Sequence, residues 1–424
     1  MTGFNLLDVP LPGPLRLPVT AERLLPNGLR VIAARRQGTP LAELCLSIPF
    51  AYADPAAAAL LAGALISDPD VLERVRLLGA TLAASADADL LRIAGSVPAE
   101  QVRAFLALVA EVVLEPRYPA AEFQSVMDGS VQTTAALLAN PAHRVIEALN
   151  WRMFGSHPYG LPAPRAGALR ATSRQTIVSL HHDRVRPSGS SLVIAGAVHP
   201  EEMLDDVEQI LEAWSGGPGG PDLGLPPEPE PGSRVVDEAG LPQSFLRATM
   251  PVPPRSSDSY PPLAMAAMIF GGYFSSRLVQ NLREDKGFSY SPRSSLLHVR
   301  RANLAMISVD VMTSNTAGAA QEIAAELVAL KSRPVTEPEL DRARRFALGK
   351  LRLRMATLTG LVGVLCDLDL QGLHLDWLRD HDARLAAVTP DQATEAGARY
   401  LAPEKAVSVW LCDHAKAFPE DVTV

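Results

Sequence analysis

The chain has 424 residues, 47% of them hydrophobic and 20% charged, with a formal net charge of −8. This is enough apolar material for more than one core and, by length, for two to four domains of roughly 150 residues each. The acidic balance speaks against nucleic acid or an anionic membrane as main partner, because both require a basic patch.

The N-terminal stretch "MTGFNLLDVPLPGPLRLP" has no basic segment leading into an apolar one, so it does not read as a secretory signal. No apolar run reaches about 18 residues without charge or proline, so no membrane-spanning helix is expected. Cys45, Cys366 and Cys412 are scattered without CxxC spacing, which fits a reducing compartment and no disulfide framework or structural zinc. Cys45 lies in an apolar strand and reads as core. The expectation is a soluble cytoplasmic protein.

A β-rich opening, "GLRVIAARRQGTPLAELCLSIPF", leads into an Ala-rich apolar helix, "DPAAAALLAGALIS". A strand-like stretch comes next, "TLAASADADLLRIAGSV", and then helices beginning with "PAEQVRAFLALVAEVV", whose apolar residues recur at helical spacing. The half closes on a β segment, "SGSSLVIAGAV". Residues 215–234, "SGGPGGPDLGLPPEPEPGSR", are dominated by Pro and Gly and read as a linker.

Beyond the linker the order repeats. "SFLRATMPVPP" is β-rich, "YPPLAMAAMIFGG" is an apolar helix, "ANLAMISVDVMTS" is strand-like, "NTAGAAQEIAAELVALKS" is helical, and "EKAVSVWLC" closes the half. The reading is α+β: two similar domains, 1–214 and 235–424, each a mainly antiparallel sheet with helices on one face.

Few residues offer chemistry. The nine histidines include no HxxxH or HxH, and His181–His182 are adjacent, so their rings diverge. There is no GxSxG elbow and no phosphate-binding GxxxxGK[ST]. The densest polar stretch is "FGGYFSSRLVQNLREDKGFSYSPRSS", residues 270–295. It reads as a helix with Ser275 or Ser276 near its N-cap, a stop at Gly287, and an extended segment from Tyr290. Arg283 and Tyr290 flank the turn. Together they could grip a peptide carbonyl or steady an oxyanion; alternatively Arg283 pairs with a neighbour and Tyr290 packs on a helix.

Four stretches carry a family resemblance: "RLLPNGLRVIAARRQGTPLAELCLSIPFAYADP", "MFGSHPYGLPAPRAGALRATSRQTIVSLHHDRVRPSGSSLVIAGAV", "GGYFSSRLVQNLREDKGFSYSPRSS" and "TEPELDRARRFALGKL". With them the chain resembles the pitrilysin-like M16 metallopeptidases, most closely the two-domain M16B type that includes mitochondrial processing peptidase. The resemblance implies the family's metallohydrolase fold (LuxS/MPP-like), two similar α+β domains facing each other like a clam shell.

Active members carry HxxEH on a first-domain helix. Two histidines bind zinc, the glutamate is general base, and a distant glutamate is the third ligand. Laid on this chain, the resemblance puts Ala59 and Gly63 at the histidine places, Ala62 at the base, and the distal ligand near Gln132 or Thr133. None of these can ligate. Arg283 and Tyr290 match the second-domain Arg and Tyr that contact substrate in active members. The resemblance therefore implies no metallopeptidase activity from this chain alone and no cofactor of its own. It implies a heterodimer with an HxxEH-bearing M16B subunit that holds the zinc, and an extended peptide as substrate. A scaffold or peptide-binding role, like that of respiratory-complex core proteins, is the competing implication.

Overall fold

A computed structural model describes residues 12–50, 54–217 and 222–418. They form two compact units, described separately. The first comprises Pro18–Pro227 and Met355–Gly372; the second comprises Glu228–Arg354 and the residues from Leu373 on, together with those before Pro18.

The first half of the chain supplies, in order, β1 (Val19–Leu24), β2 (Arg30–Arg35), β3 (Leu41–Pro49), α1 (Pro55–Leu65), α2 (Pro69–Leu77), β4 (Thr81–Ala86), β5 (Leu90–Pro98), α3 (Val102–Leu114), α4 (Ala120–Ala139), α5 (Pro141–Phe154), α6 (Ala166–Ala171), α7 (Arg174–Arg184), β6 (Ser191–Gly196) and α8 (Pro200–Ile210). The sheet runs β1-β2-β6-β3-β5-β4. Only β2 and β6 pair in parallel; every other neighbour is antiparallel.

Strand alternation divides this sheet into two faces. Val31, Ala33, Leu44, Leu46, Ile48, Leu192 and Ile194 face a core shared with Leu60 and Leu61 of α1 and Phe105 and Val109 of α3. α1 can lie flat there because it is almost all Ala and Leu. Its start is fixed by Asp54, whose carboxylate accepts from the Ala56 and Ala57 N–H groups at 2.8 and 3.3 Å, and by Pro55 in the first turn.

The second half supplies β7 (Gly232–Asp237), β8 (Gln243–Pro251), α9 (Tyr260–Ala267), the short α10 (Arg277–Val279), β9 (Arg293–Val299), β10 (Ala302–Met312), α11 (Thr316–Ser332), α12 (Glu337–Ala356), α13 (Leu358–Leu370), α14 (Asp376–Ala387), α15 (Pro390–Tyr400), β11 (Val407–Cys412) and α16 (His414–Ala417). Its sheet runs β7-β11-β8-β10-β9, with β7 and β11 as the parallel pair. Both sheets are thus mixed but mainly antiparallel, as the α+β reading expects. In the Pro/Gly-rich stretch, residues 222–231 carry no helix or strand, and residues 232–234 already belong to β7.

α13 is the exception to a half-by-half division. It comes from the second half of the sequence but lies against β3 and β6 of the first sheet, in the first unit. There it covers the face opposite α1, where Ile32, Ala34, Cys45, Val193 and Ala195 are buried.

Candidate functional site

The polar stretch of the second half is built on departures from regular helix. α9 passes into a π-helical turn, Met268–Gly272, and α10 passes into another, Gln280–Asp285. Such wide turns are uncommon and cluster at functional sites. The first needs Gly271, since a Cβ there would stand 2.8 Å from the Ser294 backbone nitrogen of β9. The Ser294 hydroxyl donates to the Ala267 carbonyl at 3.0 Å across the same approach. Ser276 caps α10 by position alone, with no side-chain hydrogen bond. Gly287 has φ +63°, and the Phe288 and Ser289 N–H groups return to the Leu282 carbonyl at 2.8 and 3.1 Å. Glycine at such a helix stop avoids the Cβ clash of the left-handed region.

The inner side of this segment is fastened. Arg277, almost fully buried, makes a two-pronged pair with Glu339 (2.9 and 3.0 Å) and donates to the Arg333 and Pro334 carbonyls at 2.9 and 3.2 Å. Burial pushes the Glu339 carboxyl up, but Arg277 and the Thr336 N–H outweigh it and hold it at about 2. Asn281 donates to Glu322 and Glu326 of α11 at 2.9 and 3.0 Å, and Lys286 pairs with Glu322 at 3.0 Å. The Ser289 hydroxyl donates to the Asp310 carbonyl of β10 at 2.8 Å.

With the inner residues tied down, Arg283 and Tyr290 meet. The Arg283 guanidinium lies 4.7 Å from the centre of the Tyr290 ring and 4.7 Å from that of Phe274, between the two. Its Nε faces Glu284 Oε1 at 3.2 Å. Tyr290 is 81% exposed and Phe274 62%. Two cation–π contacts at an exposed site contribute about 0.5–1 kcal/mol each and restrict the guanidinium plane. The result is a half-buried donor fork beside an exposed phenol, an arrangement able to hold a carbonyl or an oxyanion. Sequence reasoning misses Phe274; its one signal is a second aromatic residue two positions after the double glycine, within the polar stretch.

The motif positions of the first unit are of another kind. Ala59 and Gly63 share one face of α1, half-buried, and Ala62 is buried. A Cβ on Gly63 would stand 2.7 Å from Val126 Cγ1 of α4, so α4 occupies the space a larger residue would need. Gln132 and Thr133 are exposed on α4, and the buried residue of that turn is Thr134. Phe123 and Met127, the apolar residues one helical face upstream, set that phase. Among the described residues no group of three or more His, Cys, Asp or Glu is placed to hold a metal ion. The residues at the motif positions do not fit zinc. Also among the described residues, no single helix is long and apolar enough to cross a membrane.

Residues 171–346, which include Arg283 and Tyr290, match the family described as Peptidase M16 inactive domain. The chain is 26% identical over 262 residues to an uncharacterised zinc protease of Mycobacterium leprae. That match covers 58% of this chain and 55% of the relative, so the chain spans about half the length of the curated protein it resembles. A crystal structure of a peptidase M16 inactive domain from Pseudomonas fluorescens superposes with a TM-score of 0.85 at 20% identity, covering 93% of this chain and 98% of that one. A protease from Helicobacter pylori superposes with a TM-score of 0.84 at 18% identity, covering 94% and 100%. The fold is therefore that of M16 inactive-domain proteins.

Proposed function

We propose that this chain is the zinc-free subunit of an M16B-type heterodimeric peptidase, acting on extended peptides in the cytoplasm. A partner subunit with HxxEH would hold the metal and the general base. This chain would bind the peptide backbone and present Arg283 and Tyr290 to the carbonyl at the cleavage point. Leader-peptide removal is one reaction of this kind. The observation that carries the reading is the Phe274–Arg283–Tyr290 stack, outward and braced from behind, in a chain whose α1 has Ala59, Ala62 and Gly63 at the motif places. The match of residues 171–346 to an inactive M16 domain supports it.

The test is reconstitution. The chain alone should cleave no unfolded peptide. Mixed with an HxxEH protein of similar length encoded beside it, it should restore cleavage. In that mixture Arg283→Ala or Tyr290→Phe should lower turnover about 10²-fold or more, as for loss of a transition-state donor. Unchanged turnover in both variants would leave a scaffold or peptide-binding subunit. Full cleavage by the partner alone would end the shared-site reading.

A further inference from the structure

We propose that Cys45 and Cys366 are a redox-active thiol pair, closing to a reversible disulfide that staples α13 to the first sheet. Cys45 sits on β3 and Cys366 on α13, within one unit. Two polar contacts fix how the helix lies along the strand. Near its start, the Thr359 hydroxyl donates to Glu43 Oε2 at 3.0 Å. Near its end, Asp369 pairs with Arg30 at 3.1 Å. Arg30 is level with Ser191, and Ser191 with Ser47. A helix rises about 1.5 Å per residue and a strand about 3.4 Å. Thr359 to Asp369 therefore spans roughly 15 Å and Glu43 to Ser47 roughly 14 Å along the sheet, and because Arg30 lies two strands over from β3, α13 starts over β3 and leans across β6 toward β2. Cys366 and Cys45 both fall between these pins.

Their thiols lie within hydrogen-bonding reach of each other. The Ser47 hydroxyl is 3.8 Å from the Cys45 sulfur, and Arg92 of β5, level with Ser47, faces both thiols. The Cys366 thiol, the Ser47 hydroxyl and the Arg92 charge outweigh burial and lower the Cys45 thiol. The same contact and burial raise Cys366. With the Ser47 hydroxyl beside its sulfur, Cys45 takes the attacking role and Cys366 the resolving one.

Cys45 is only 7% exposed, so a small oxidant such as hydrogen peroxide suits it. The Cys45 thiolate attacks one peroxide oxygen, the O–O bond breaks, and the departing hydroxide takes a proton to become water. Cys366 sulfur then attacks the resulting sulfenic sulfur. The second hydroxide leaves with the Cys366 proton as water, so two thiols and one peroxide give one disulfide and two waters.

The experiment treats the full chain with stoichiometric hydrogen peroxide, alkylates remaining thiols after denaturation, and maps peptides by mass. The expected result is one alkylated cysteine, Cys412, and a Cys45–Cys366 linked peptide that dithiothreitol resolves. The thermal transition should rise on oxidation of the natural chain and stay put in Cys366→Ala. Three alkylatable thiols after oxidation, a link through Cys412, Cys45 sulfinic acid without a link, or the same thermal rise in Cys366→Ala would each overturn the proposal. The mapping needs no variant, so a misfolded mutant does not spare it.

Discussion

The two sheets repeat one another, β2-β6-β3-β5-β4 in the first and β7-β11-β8-β10-β9 in the second, each with one parallel pair. The helices after β3 and after β8 differ. In the first unit the next helix, α1, is regular, apolar and packed on α4 at Gly63. In the second, α9 and α10 pass into π-helical turns, with Arg277 of α10 buried and Arg283 of the second turn half-exposed. One copy of the repeat has kept good packing and no chemistry. The other has given up regular helix and holds charged groups in fixed places.

The largest expected effect tests the bracing of the second copy. Arg277→Ala removes the partner of Glu339 and frees two carbonyls, and should cost about 3–5 kcal/mol in denaturant unfolding. A loss under about 1 kcal/mol would mean the segment holds without it.

Reinstating the motif in the first copy should fail. The triple change Ala59→His, Ala62→Glu, Gly63→His overpacks α1 against Val126 and should destabilise by about 1–3 kcal/mol, with no stoichiometric zinc uptake by equilibrium dialysis. One zinc per chain in a stable variant would show α4 to be more yielding than its packing suggests.

Each copy also holds a histidine that burial keeps neutral. His181 is lowered to about 4: its Nε2–H donates to the Val113 carbonyl and its Nδ1 accepts from the Tyr118 hydroxyl. His381 is lowered to about 3 by burial and by Arg255 and Arg384, and stacks on Trp377 with ring centres 4.4 Å apart. The unfolded chain binds these protons near 6.5, so the stability they confer is complete above that pH. It is lost as pH falls toward 4 for His181 and toward 3 for His381. Glu339 adds a later loss, from 4.5 down to about 2. Urea midpoints should fall from pH 7 to pH 5, and His381→Gln should flatten that fall. A flat profile in the natural chain would contradict both placements.

The smallest effect belongs to an exposed network of the first unit. Arg23 reaches Asp205 and Glu208, each at 2.8 Å, on the surface. Arg23→Ala should leave the denaturant midpoint nearly unchanged, the contrast that gives Arg277→Ala its meaning.

Much of the repeat is legible because strand and helix periods are local. Alternation along "LAELCLSIP" and the apolar rows of "VRAFLALVAEVVL" are properties of neighbouring residues, and they yield the elements in order. The short edge strand β1 and the parallel β2–β6 pair are not legible, because pairing is a property of surfaces that meet late. At the candidate site, Arg283 and Tyr290 can be named from their stretch, but Phe274 cannot: nothing local says that three side chains will stack.

The cysteines mark the same limit. Read along the chain, Cys45, Cys366 and Cys412 are unrelated, and only the return of α13 to the first sheet brings two of them together. The sequence by itself determined what this chain lacks, since no fold can make a zinc ligand of Ala59, Ala62 or Gly63. It also determined the succession of elements, which depends on contacts between near neighbours. The tertiary structure alone decided which strands lie side by side, where α13 goes, and which way Arg283 points. Those outcomes arise from packing among residues far apart in the chain, which no local pattern encodes.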